Sequence, residues 1–225
     1  MVRALIEAGA DVNKPCDNSM TPLYFAAEKG HEAIVRALIE LGADINKARD
    51  NGVTPLSIAA HQGTEATVRA LMELGADINK ATDEGVTSLF IAAQQGNEAT
   101  VRALMELGAD INKAADDGVK PLYIAAQQGH EAVVRALIEA GADVNQARDD
   151  GAKPLYIAAQ QGHEAIVRAL MELGADVNKE TDNGATPLLI AAQKGFTAIV
   201  QIIRHTVVVR MQHVSLKIPD ATILQ

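Results

Sequence analysis

Three histidines, His31, His130 and His163, recur at one point of a repeating frame, each directly after a glycine. Imidazole is a common metal ligand and the usual proton carrier near neutral pH, so the recurrence invites a metal or catalytic reading. The spacing argues against it. One ring per unit leaves no pair at the short spacing of zinc ligands, and His61, His205 and His213 stand alone. At the start of a helix, such rings read as scaffold groups that hydrogen-bond nearby backbone. The Asp116-Asp117-Gly118 and Asp149-Asp150-Gly151 turns offer carboxylates, the ligands calcium prefers. They lack the alternating oxygens and distant bidentate Glu of a calcium loop, and the turn preference of Asp and Gly accounts for them. No nucleophile elbow, phosphate-cradling glycine loop or Cys–His arrangement occurs. No catalytic, metal or cofactor-binding residue is therefore assigned.

The elements that carry these residues come from one frame. Asp149 to Asn178 reads DDGAKPLYIAAQQGHEAIVRALMELGADVN, and Asp116 to Asn145 repeats it almost word for word. The same frame opens at Asp17, Asp50, Asp83 and Asp182, always 33 residues apart. A fixed period with a turn and two helical patterns is the mark of a stacked array, which has no single core and grows by adding units. We divide the chain into an incomplete unit at 1–14 (second helix and exit loop only), six repeats over 15–206, and an atypical tail at 207–225. The half unit at the start predicts a fragment of a longer array, with a missing first helix upstream.

Within a unit the local rules are explicit. Thr54 can cap free N–H groups and Pro55 suits the first helical position. Leu56, Ile58, Ala59 and Ala60 make an apolar helix that stops at Gly63, where a left-handed residue is easy. A second helix from about Glu65 to Leu74 carries Val68, Leu71, Met72 and Gly75 on one face. Glu65 and Arg69 pair four apart on the other. The copies also differ. Thr67 and Thr100 replace Ile34, Val133, Ile166 and Ile199, so a buried place there leaves two hydroxyls to satisfy. Lys120 and Lys153 replace the capping Thr, Ser88 replaces Pro, and Ser19 replaces the turn glycine, which predicts a different first turn. In the last unit Phe196 stands where the histidines stand, Gln201 replaces Arg, and His205-Thr206-Val207 takes the place of the Glu-Leu-Gly exit. Beyond it Val214, Leu216 and Ile218 alternate with polar residues, as a half-buried strand would.

Composition narrows the partners. Formal charge is −9, whereas nucleic-acid binding needs Lys and Arg against phosphates, so DNA and RNA are excluded as the main ligand. No basic membrane-surface helix, no spanning apolar run and no signal-peptide core is present. Cys16 is the single cysteine, which leaves no internal disulfide or multi-cysteine zinc site. We expect a monomer in a reducing intracellular compartment, the cytoplasm or the nucleus.

DNGVTPLSIAAHQG…GADIN and its copies resemble the ankyrin repeat, across residues 1 to about 206. The resemblance implies an all-α solenoid of stacked antiparallel helix pairs with hairpin-like loops, and a non-enzymatic, protein-binding role. The family commonly has His after Thr-Pro-Leu. Here Tyr24, Ser57, Phe90, Tyr123, Tyr156 and Leu189 hold that place, so the turn network of that histidine does not carry over. Spaced aromatics of this kind read as repeat-to-repeat packing.

Family members vary loop tips and the exposed end of the first helix for recognition. The tips here hold Asp50, Asn51, Val53, Asp83, Glu84, Val86, Asp116, Asp117, Val119, Asp149, Asp150 and Ala152. The helix ends hold His61, Gln62, Gln94, Gln95, Gln127, Gln128, Gln160 and Gln161. This predicts an acidic ridge beside a row of amides, partly offset by Lys47, Lys80, Lys113 and Lys179. The partner implied is a basic or polar protein segment lying across both. Two rival readings stand beside it: a structural spacer within a larger protein, and a substrate of an asparaginyl hydroxylase acting at Asn46, Asn79, Asn112, Asn145 and Asn178.

Overall fold

The computed structural model describes residues 9–16 and 19–215, with side chains as far as Val208. The chain divides into two compact units, Met1–Asp143 and Val144–Gln225. Among the described residues all regular structure is helical. The first unit holds α1 (Pro22–Glu28), α2 (Glu32–Glu40), α3 (Pro55–Gln62), α4 (Glu65–Glu73), α5 (Ser88–Gln95), α6 (Glu98–Glu106), α7 (Pro121–Gln128) and α8 (Glu131–Glu139). The second holds α9 (Pro154–Gln161), α10 (Glu164–Glu172), α11 (Pro187–Lys194) and α12 (Thr197–Ser215).

Short helices of seven to nine residues are marginal alone, so their ends and their packing decide them. Thr21, Thr54, Thr87 and Thr186 stand in extended backbone at the N-caps and accept from the N–H three residues on. Lys120 and Lys153 hold the same extended backbone and make no side-chain cap. Gly63, Gly96, Gly129, Gly162 and Gly195 end the first helices in the left-handed region.

In the first unit, α1, α3, α5 and α7 pack in sequence as one row, and α2, α4, α6 and α8 as another. In the second, α9 packs on α10 and α11, and α12 on α10 and α11. Leu23, Leu56, Leu89 and Leu155 of the first helices and Val35, Val68, Val101, Val134 and Val167 of the second are fully buried. Ala59, Ala60, Ala92 and Ala93 are buried as well. Their single methyls let neighbouring helices approach closely. Tyr24, Phe90 and Tyr123 are buried in this packing, Tyr156 is half-buried and Leu189 is exposed.

Ser19 adopts a left-handed φ of 59°, the region that glycine holds at the same place in the later turns, and its hydroxyl donates to the Asp50 carboxylate; the rest of that first turn, Asp17 and Asn18, lies outside the described residues. The expected strand around Val214 is helix, because α12 runs unbroken for 19 residues to Ser215. The other second helices stop at a left-handed glycine such as Gly174. Val207 stands in that place, and nothing there turns the chain out of the helix. Residues 1–8, Leu216 and Ile218 lie outside the described residues.

Candidate functional site

The hairpins before each first helix are built from backbone. The N–H of Arg49 donates to Val53 O at 3.0 Å, Thr82 to Val86 O at 2.9 Å, Ala115 to Val119 O at 2.9 Å and Arg148 to Ala152 O at 2.8 Å. Neighbouring tips are then joined. Asp83 N donates to Asn51 O at 3.3 Å and Asp116 N to Glu84 O at 3.0 Å in the first unit. Asp182 N donates to Asp150 O at 3.1 Å in the second. This junction requires a glycine: a Cβ on Gly52, whose φ is +80°, would lie 2.7 Å from Asp83 N.

Asp50, Asn51, Asp83, Glu84, Asp116, Asp117, Asp149 and Asp150 are exposed on these tips. Val53 and Val86 are half-buried, while Val119 and Ala152 are buried at 6% and 3% exposure. The last two face inward as packing groups, which removes their side chains from the expected contact set. At the other end of the first helices, His61, Gln62, Gln95, Gln128 and Gln161 are exposed, with Gln94, Gln127 and Gln160 half-buried. The carboxylates precede each helix and the amides close it. An eight-residue helix therefore separates them by about 12 Å. Within a repeat the carboxylates and the amides therefore stand at opposite ends of the first helix.

Two residues that open second helices, Asn97 and His130, reach back to the preceding repeat. Asn97 Nδ2 donates to Ala60 O and His61 O, both at 3.0 Å, and the His130 Nε2 lies 3.0 Å from Gln94 O. The ring is thus a scaffold group, bonded to last-turn carbonyls that an α-helix leaves open. Asn side chains in the exit loops act similarly. Oδ1 of Asn13, Asn46 and Asn79 accepts from the N–H of Asp44, Asp77 and Asp110 at 2.8–3.0 Å. Asn145 accepts from Asp176 N at 2.9 Å.

The sequence reading found only half of one constellation, the Glu65–Arg69 pair within a helix. Arg36, Arg69 and Arg102 bond Glu32, Glu65 and Glu98 on their own helices at 2.8–2.9 Å. Each then pairs with Glu73, Glu106 or Glu139 of the next repeat at 2.7–3.5 Å. These bonds, first of all those to Glu32, Glu65 and Glu98, hold the guanidinium pKa values above their ordinary level. The signal was the Arg-to-Glu offset of 37 residues, which acquires meaning only once the stacking register is known.

Among the described residues no group of three or more His, Cys, Asp or Glu could hold a metal ion. Nor is any helix there long and apolar enough to cross a membrane. Compared with known families, residues 1–82, 47–115, 75–148 and 122–212 each match the family model described as ankyrin repeats (3 copies). No curated protein matches the chain.

Proposed function

This chain belongs to the ankyrin repeat family, whose repeats are in general protein–protein interaction modules, and on that premise we propose that it is a non-enzymatic module binding a basic or polar protein segment. The segment lies across the hairpin tips and reaches the amides at the far end of the first helices. The supporting observation is the exposed carboxylate row of Asp50, Asp83, Glu84, Asp116 and Asp117. Its backbone is fixed tip to tip before any partner arrives, and a pre-ordered surface loses less entropy on binding. Charged rows of this kind steer a partner of opposite sign and make its association salt-dependent.

The test is direct. Partners captured by the full chain are compared with those captured by Asp83→Lys/Asp116→Lys/Asp117→Lys, with helical content checked by circular dichroism. The reading expects loss of the salt-sensitive partners from the folded variant. An unchanged set of partners would remove the tips from the binding surface.

A further inference from the structure

Two hairpins of the chain begin with arginine, Arg49-Asp50-Asn51-Gly52 and Arg148-Asp149-Asp150-Gly151. Their backbones close alike. Arg49 N donates to Val53 O and Gly52 N to Arg49 O, both at 3.0 Å. Arg148 N donates to Ala152 O at 2.8 Å and Gly151 N to Arg148 O at 3.0 Å. One side-chain oxygen plays the same part in each: Asn51 Oδ1 accepts from Val53 N at 3.4 Å, and Asp150 Oδ1 from Ala152 N at 3.1 Å. The other terminal atom differs. Asp150 Oδ2 pairs with Arg148 Nη1 at 3.7 Å, whereas Asn51 has an amide nitrogen, a donor that cannot pair with a guanidinium. Arg49 instead lies over the Tyr24 ring at 5.7 Å. Its Nη1 is 3.4 Å from the Tyr24 hydroxyl, and its Nε is buried without a hydrogen-bond partner.

We propose that Asn51-Gly52 is a self-modifying site, where Asn51 deamidates to an aspartate that pairs with Arg49 as Asp150 pairs with Arg148. Asn51 is exposed, and the glycine after it puts no side chain in the way of the attacking backbone nitrogen. That nitrogen of Gly52 bonds to Asn51 Cγ, the Cγ–Nδ2 bond breaks, and ammonia leaves with the proton the glycine gives up. Water then opens the succinimide at one of its two carbonyls. Cutting the new Cγ–N bond leaves aspartate in an unaltered backbone. Cutting the old peptide bond leaves isoaspartate, with an extra methylene in the main chain. The fold discriminates between them. Gly52 is pressed against the next tip, where an added Cβ would lie 2.7 Å from Asp83 N, and Asp83 N binds the Asn51 carbonyl at 3.3 Å. Isoaspartate displaces that carbonyl and lengthens the turn. It returns slowly through the succinimide, so aspartate accumulates. Adjacent carboxylates do not prevent this, because Asp149 and Asp150 already stand side by side in the equivalent turn. The other Asn-Gly, Asn183-Gly184, has Thr181 in the arginine's place, so its product gains no such pair. The proposal stands whether or not the tips bind a partner.

The full chain is held at mildly alkaline pH, folded or in urea. The Asn51 peptide is then mapped by mass spectrometry with fragmentation that tells aspartate from isoaspartate. Gly52 N must leave Arg49 O before it can attack, so the folded chain converts from an opened tip, on the order of tenfold more slowly than in urea. Aspartate is its main product, and isoaspartate predominates in urea. Mostly isoaspartate from the folded chain, or no conversion there while the urea sample goes to completion, overturns the proposal. The ion pair has its own readout. Asn51→Asp slows hydrogen exchange at the Gly52 amide at low salt by about two- to fivefold more than the same change does in an Arg49→Gln background. About 1 M salt removes the excess. Equal slowing in both backgrounds, or an excess that salt leaves intact, overturns it as well.

Discussion

The sharpest test of the packing lies in α4 and α6. Thr67 and Thr100 are completely buried, and neither hydroxyl has a hydrogen-bond partner. Their counterparts Val133 and Ile166 are equally buried without a polar atom to satisfy. A buried hydroxyl left unpaired costs about 1–3 kcal/mol, and valine replaces the hydroxyl by a methyl of nearly the same shape. Thr67→Val and Thr100→Val should each stabilise by at least ~1 kcal/mol. For a chain of this length that raises the melting temperature by roughly 2–4 °C per site. The two places share no partner, so the double variant should give the sum within about 0.5 kcal/mol. Urea midpoints at unchanged slope measure the gain. Hydrogen exchange in α4 and α6 locates it, because repeat arrays need not unfold in one step. The mirror substitution Val133→Thr, in the same unit, should cost a comparable amount. An unmoved midpoint in Thr67→Val beside a destabilised Val133→Thr would refute the reasoning. It would mean that the Thr67 hydroxyl bonds the Gly63 carbonyl four residues back, as helical threonines can.

Restoring the missing caps with Lys120→Thr and Lys153→Thr should add about 1 kcal/mol each, read as a higher midpoint in thermal unfolding. Glycine positions should separate by neighbour rather than by φ. Gly42→Ala, at φ +91° with nothing within 4 Å, should cost about 1 kcal/mol of backbone strain. Gly52→Ala should cost more and expose the Asp83 amide to exchange, since its Cβ would meet that nitrogen. Equal losses at both sites would count against the tip-to-tip junction. Arg69→Gln removes the pairs with Glu65 and Glu106. It should shrink the fall in melting temperature between low salt and about 1 M salt, where surface charges are screened, and leave the midpoint at high salt unchanged.

Much of the architecture was legible because each unit states its own boundaries. Thr54 and Pro55 open a helix, Gly63 closes it, and the spacing of Val68 and Leu71 names the buried face. The uncapped Lys120 and the burdened Thr67 were readable for the same reason, as departures from four other copies. Residues whose environment depends on neighbouring units were harder. Val119 and Ala152 sit in turn sequences, and only their burial in the folded chain shows that they face inward. Glu73 carries no local hint that it meets Arg36. At Val207 the absent glycine was visible, but alternation further on suggested a strand, and the helix simply continued. The two rows of candidate contacts were named from helix ends and tips. Their separation follows from helix length, which the sequence reading had not applied.

The recurring bonds between neighbouring repeats of the first unit join residues at fixed offsets: 31 for the asparagines, 36 or 37 for the reach-back side chains and 37 for the arginines. Losing or gaining one in-frame stretch of 33 codons therefore hands each donor an acceptor of the same kind. Such an array can change its reach by unequal crossing-over without passing through a misfolded intermediate length. Its size is thus the property most open to rapid genetic adjustment.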